Sequence, residues 1–231
     1  MKHFEVNGVA ELYKEVLGIM KFQPVVSPRG RDTHEIFAFS AVINSKNNAF
    51  KADNIPFNLE DALKVAICMA TNQKDIKRIR ESVTDKHVVP GEYGGRISHQ
   101  IERIIEQLQN DQVSRQAVIP VLKQRDYEPD STYLPCTVSI SFMVRNGKVH
   151  CIVHQRSCDF LKEGQYDLFN YCFLLMLVAN SLQLEYGDLY WNVNSLHVYK
   201  EDMDMISGKI VEVPFRIPYT LNFIKDVVVV I

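Results

Sequence analysis

The chain has 231 residues, of which 46% are hydrophobic and 23% charged, and its 26 Lys and Arg nearly balance 28 Asp and Glu for a net charge of -2. That composition can bury a sizeable core and excludes a disordered tail, a collagen and a coiled coil. The slight negative charge argues against a nucleic-acid partner gripped through phosphates, while leaving room for a local basic pocket.

The elements follow in chain order. Val9, Leu12, Tyr13, Val16 and Leu17 recur at helical spacing and predict an amphipathic helix. Ser27 to Asp32, with Pro28 and Gly30, reads as a loop, and Ile36 to Ile43 as a strand. Leu59 to Ala70 reads as a buried helix with Asn58 as its cap. Pro90 to Gly95 reads as a second loop, and Ile97 to Leu108 as a helix. Ala117 to Leu122 is strand-like, and Thr137 to Val144 and Lys148 to Gln155 flank the hairpin dipeptide Asn146-Gly147. Asp167 to Leu182 is apolar almost all round and reads as a central helix. Leu189 to Tyr199 is strand-like, and Val227 to Ile231 are β-branched. Helices and strands mix without a βαβ rhythm, so the expected fold class is α+β, with residues 1–231 as one domain.

The five cysteines, Cys68, Cys136, Cys151, Cys158 and Cys172, form no C-x-x-C pair, so no metal site is expected. Unpaired thiols fit a reducing cytoplasm. The first residues have no apolar signal core, and the run Phe173 to Ala179 is far too short to span a bilayer, so the expected protein is cytoplasmic, with no membrane partner.

Three segments can carry chemistry. Cys136 follows Pro135 at the mouth of a strand; it is either a packed small residue or an exposed, rigid nucleophile. In His154-Gln155-Arg156-Ser157-Cys158-Asp159, an Arg-Ser pair can grip a phosphate and a guanidinium can lower a thiol's pKa; the plainer reading is a surface Arg pairing with Asp159. His197 and Tyr199 share a strand face, where they could hold a sugar hydroxyl or simply pack together.

Taken in order, Tyr93-Gly94, Ser114-Arg115, Pro135-Cys136, Gln155-Arg156-Ser157-Cys158-Asp159 and His197-Val198-Tyr199 resemble the thymidylate synthase family, and the resemblance is densest from Ser114 to Tyr199. Eight residues after Asp159, where thymidylate synthases carry Asn, this chain has Asp167. An amide both donates and accepts, which suits uracil, whereas a carboxylate only accepts, which suits the amine and protonated ring nitrogen of cytosine. An Asp at this position is a hallmark of the family's deoxycytidylate hydroxymethylase branch, and Trp191 to Tyr199 also looks like the phage enzymes of that branch. The plainer role for Asp167 is to cap the helix it begins.

The resemblance implies a thymidylate synthase-like fold in a sheet-mediated homodimer, and a 5-hydroxymethylation of dCMP or CMP with 5,10-methylenetetrahydrofolate as one-carbon donor. Cys136 would add to carbon 6 of the pyrimidine, and Tyr93 would position the water that removes the carbon 5 proton. Arg156 and Ser157 would bind the phosphate of the nucleoside monophosphate, with Arg115 lent by the partner subunit and Arg29 or Arg31 reaching in from the early loop. His197 and Tyr199 would hold the sugar 3′-hydroxyl, Asp167 the base and Asp159 the folate ring.

The chain also departs from the family pattern. Gln116 stands where a second arginine is common, Thr137 where many members have His, and Ala62 where the family's catalytic Glu aligns, leaving Glu60 as the candidate for that role. The C-terminal Asp226 to Ile231 does not match the tail that closes over folate. Two other readings follow: a divergent thymidylate synthase acting on dUMP, disfavoured by Asp167, and a nucleotide-binding homologue without activity, motivated by Gln116 and Glu60.

Overall fold

The computed structural model describes residues 2–44, 49–52, 57–72, 90–131, 134–206, 210–213 and 219–228. Its elements are β1 (Lys2–Val6), α1 (Val9–Met20), β2 (Val25–Val26), β3 (Thr33–Ile43), β4 (Ala49–Ala52), α2 (Leu59–Thr71), α3 (Pro90–Asn110), β5 (Val118–Pro120), β6 (Thr137–Arg145), β7 (Lys148–Gln155), β8 (Cys158–Asp159), α4 (Gly164–Leu182), β9 (Glu185–Tyr199), β10 (Ile210–Val213) and α5 (Leu221–Val228). Short 3-10 turns cover Pro28–Gly30, Gln124–Tyr127 and Lys200–Ile206. The fold class is α+β, as the sequence predicts.

Eight strands form one mixed sheet in the order β1-β3-β9-β7-β6-β5, with β2 paired to β3 and β8 to β9; β10 and β4 form a separate antiparallel pair. The β6–β7 hairpin closes through Asn146 (φ 53) and Gly147 (φ 73), the left-handed pair its dipeptide announces. One sheet face is buried throughout: Phe39, Ala41, Ile43, Leu189, Trp191, Val193, Cys151, Val153, Ile140, Phe142 and Val144 all point into the core. Helix α4 packs on β7 and β9 and is in turn flanked by α2, α3 and α5, which explains why its apolar residues run all round. Across Asn194 the buried positions of β9 switch from odd (Leu189, Trp191, Val193) to even (Leu196, Val198). The β3 partner there, Ala38, has φ 52, and the ladder skips this pair. Ser195, His197 and Tyr199 are thereby left half-buried beyond the break.

Three expectations are corrected. Pro90 to Gly95 is not a loop: it is the first part of α3, with Pro90 at the first helical position, where a missing N–H costs nothing. Gly94 is required by packing, since a Cβ there would lie 2.8 Å from the Cys68 carbonyl oxygen of α2. Asp167 does not cap α4: the helix begins at Gly164 with Glu163 in the cap position, which leaves Asp167 inside the first turn. Val227 and Val228 end a helix, α5, which packs against α2 and α4, and residues 229–231 lie outside the described residues. Asn58 does cap α2, its Oδ1 accepting the Asp61 N–H at 3.2 Å.

Candidate active site

Cys136 sits between Pro135 and the first residue of β6, half-buried. Its position is held from three sides. The Tyr93 hydroxyl oxygen, brought in by the first turn of α3, accepts the N–H of Cys136 (3.1 Å) and of Thr137 (3.3 Å). With both lone pairs engaged, the Tyr93 O–H proton must point away from that backbone. The Arg156 N–H donates to the Cys136 carbonyl at 2.8 Å. The Arg156 guanidinium donates to the carbonyls of Pro135 (3.0 Å) and Leu134 (2.6 Å) and to Ser157 Oγ (3.0 Å), clamping the nucleophile loop onto the end of β7. Arg156 is therefore not a surface partner of Asp159.

The thiol itself lies 3.8 Å from Ser157 Oγ and 3.7 Å from Arg156 Nη2. Burial pushes its pKa above the ordinary range; the Arg156 charge and the Ser157 hydrogen bond pull down, while Asp167 and Glu163 add to the rise. The guanidinium lowers the thiol pKa as the sequence suggests, but burial outweighs it.

Asp167 is the other pole of the site. Its Oδ2 accepts from Gln155 Nε2 at 2.6 Å, and Gln155 Oε1 accepts from Trp191 Nε1 at 2.6 Å. An indole N–H can only donate, so it fixes which end of the Gln155 amide faces Asp167. Cys158 Sγ is 4.0 Å from the same oxygen. Among the described residues no hydrogen bond engages Asp167 Oδ1, so one carboxyl oxygen is available to a ligand. Burial raises the Asp167 pKa to about 7, against the opposing Gln155 hydrogen bond.

The remaining predicted residues divide. His197 lies edge-on to Tyr199 (ring centroids 5.4 Å apart) and pairs in register with Asp159 of β8. Burial raises the Asp159 pKa, with the Lys162 N–H (3.3 Å to Oδ1) and His197 opposing. Arg31 stacks its guanidinium over the Tyr199 ring at 3.7 Å and pairs with Glu201, so of the two early arginines Arg31 reaches this group. Arg29 is exposed, in a left-handed conformation (φ 55). Arg115 is exposed in the turn between α3 and β5, beside Gln116, whose Oε1 accepts from Gln107 at 3.3 Å. The Glu60 side chain lies outside the described residues; its neighbour Asp61 is buried, 3.9 Å from Lys64, and Ala62 is fully buried.

Sequence reasoning missed two features. The link from Trp191 through Gln155 to Asp167 joins strands whose register no local pattern reveals. Glu163 belongs to no motif, and only its spacing, four residues after Asp159 and four before Asp167, marks it in the sequence.

A family model for thymidylate synthase matches residues 69–227, which include Tyr93, Cys136, Arg156, Asp167 and Tyr199. The chain belongs to the thymidylate synthase family. At the level of that family it is a folate-dependent one-carbon transferase acting on pyrimidine nucleotides, with methylenetetrahydrofolate as the donor. The described residues fit that donor: Asp159 keeps Oδ1 on a backbone N–H and leaves Oδ2 to accept from a ring N–H, the edge a pterin presents. Among the described residues no helix is long and apolar enough to cross a membrane.

Proposed function

We propose that this family member is a pyrimidine nucleotide 5-hydroxymethyltransferase that converts dCMP or CMP to its 5-hydroxymethyl derivative. The observation that carries the reading is Asp167: a carboxyl in the base-reading position, oriented by Gln155 and Trp191, with a pKa near 7 and one oxygen available. In its neutral form it donates to ring nitrogen 3 of cytosine and accepts from the exocyclic amine. When Cys136 adds to carbon 6, negative charge develops toward nitrogen 3, and Asp167 can surrender its proton there. Methylenetetrahydrofolate supplies the one-carbon unit, with Asp159 as its contact.

The other residues take supporting parts in this reading. Cys136 is the nucleophile, and Tyr93, its O–H turned away from the backbone it accepts from, orders the water that removes the carbon 5 proton. Arg156 and Ser157 bind the phosphate with Arg31 or Arg29 and a partner's Arg115; His197 and Tyr199 hold the sugar. Glu60 belongs to the same water network.

The whole chain acts as one catalytic domain, supported by a core that runs from Val6 to Ile224. A homodimer is supported by the outer face of the sheet. There Val42, Tyr190, Ile152 and Ser141 are register neighbours across four strands and only half-buried, next to Val118 at 42% exposure on the edge strand. A second copy stacked on that face would cover an apolar surface that no described element covers. A cytoplasmic location is supported by five free thiols.

The neutral carboxyl also favours a second reading. Protonated Asp167 can accept from nitrogen 3 of uracil and donate to oxygen 4, as an amide would, so a thymidylate synthase acting on dUMP is the alternative. Exchange of Asp167 for Asn separates the two. On the hydroxymethylase reading, Asp167→Asn shifts relative kcat/KM from cytosine toward uracil nucleotides by on the order of tenfold to a hundredfold, the cost of one mismatched buried polar contact. An unchanged base preference contradicts it.

A further inference from the structure

We infer that Glu163 is the general base that delivers water in the second half of the reaction, an assignment that rests on the hydroxymethylase reading above. Its backbone N–H donates to the Asp159 carbonyl (2.9 Å), and its carbonyl accepts the Asp167 N–H (2.9 Å). Glu163, at the cap position of α4, therefore lies one i→i+4 turn after Asp159, the last residue of β8, and one turn before Asp167 in the first turn of α4. In that reading Asp159 meets folate and Asp167 meets the base. Glu163 lies between these two positions along the chain, so in that reading it stands between the residue that meets folate and the one that meets the base.

Packing presses this segment against the nucleophile's surroundings. A Cβ on the next residue, Gly164, would lie 2.8 Å from the Tyr13 hydroxyl and 3.4 Å from Cys158 Sγ, so only glycine lets α4 start so close to β8. Cys158 follows Ser157, whose hydroxyl is 3.8 Å from Cys136 Sγ. Glu163 is half-buried; burial raises the pKa of Cys136, Cys158 and Tyr13, and the nearby Glu163 charge adds a smaller rise at each.

The step balances without redox chemistry. Once folate has departed, carbon 5 carries an exocyclic methylene. Water attacks that methylene carbon and forms the C–O bond while its proton passes to the Glu163 carboxylate. The exocyclic π pair moves into the ring, the carbon 5–carbon 6 double bond reforms, and the carbon 6–sulfur bond breaks to return the Cys136 thiolate. A carboxylate at this point holds water where a hydride-transferring enzyme must exclude it.

The test measures how the methylene intermediate partitions. Wild type, Glu163→Gln and Glu163→Asp are given carbon-5-tritiated dCMP and methylenetetrahydrofolate, with and without a small thiol that adds to the methylene without needing a base. Mass identifies the products, and calorimetry gives the Kd for dCMP alone. Glu163→Gln should form hydroxymethyl product about 100-fold more slowly, turn over as thioether when thiol is present, and bind dCMP as wild type does. Glu163→Asp, which keeps a carboxylate and controls for folding, should recover much of the hydroxymethylation. An unchanged thioether-to-hydroxymethyl ratio in Glu163→Gln, or equal impairment in both variants, overturns the assignment while leaving the hydroxymethylase reading intact. Absence of any hydroxymethyl product from wild type overturns both.

Discussion

Asp167 holds its proton to about pH 7 because burial penalises the carboxylate more than the Gln155 hydrogen bond favours it. An unfolded Asp loses its proton near pH 4, roughly. Between those values the folded chain binds a proton that the unfolded chain has released, so stability falls as pH rises across that window and is flat above it. Asp167→Asn removes the slope, and denaturant titrations at pH 5 and pH 8 should show the variant gaining stability on wild type at the higher pH. Cys136 presents the complementary case. Its thiol pKa is raised, so the thiolate is a minor species at neutral pH, and Cys136→Ala should abolish release of tritium from carbon 5 while leaving nucleotide binding measurable. At this scale motif order points to Cys136 and Arg156, and the fold brings these two side chains within 3.7 Å of each other. The sequence is least readable where partnership depends on register, as for Trp191 and Gln155, 36 residues apart on two parallel strands.

The elements that place the site are tied together by small residues and one buried ion pair. Helix α3 carries Tyr93 to the nucleophile only because Gly94 lets it touch the α2 backbone at Cys68. Gly94→Ala would force the helices apart and should cost about 1–3 kcal/mol in chemical denaturation, with a larger loss of kcat than of substrate affinity. Two residues on, Arg96 makes paired hydrogen bonds to Asp126 (2.7 and 2.5 Å), both side chains almost fully buried. That pair anchors α3 to the turn at Gln124–Tyr127, upstream of the nucleophile loop. The Arg96 hydrogen bond holds the Asp126 pKa below its ordinary value, against burial. Its contribution is full above the unfolded pKa of about 3.9 and is lost as pH falls through the lower folded value. Asp126→Asn leaves a buried guanidinium without its counter-charge and should cost about 3–5 kcal/mol at neutral pH, with the deficit shrinking in acid. Helical periodicity made α1, α2 and the body of α3 visible in the sequence. The glycines of Pro90 to Gly95 hid the first turns of α3, because a residue chosen for close approach looks like a residue chosen for a turn. The same effect displaced the start of α4 from Gly164 to Asp167, and with it concealed Glu163.

At the scale of the whole molecule, the sheet has one face fully buried and the other only half covered. If two copies stack on the open face and exchange Arg115, then Ile152→Glu, central to that face and outside the residues assigned to chemistry, should give a folded monomer by sedimentation with a raised KM for nucleotide. A dimer that persists in this variant would place the interface elsewhere. The Asn146-Gly147 dipeptide makes the β6–β7 hairpin readable in the sequence, whereas strand order, set by contacts between β3, β9 and β7 far apart in the chain, is not. The central claim is chemical, and one measurement meets it directly. Purified protein with methylenetetrahydrofolate is offered CMP, dCMP, UMP and dUMP, each tritiated at carbon 5, and the products are identified by mass. The account predicts tritium release with a 5-hydroxymethylcytosine nucleotide as product. Release from dUMP with a methyl product, or no release from any of the four despite nucleotide binding, would contradict it.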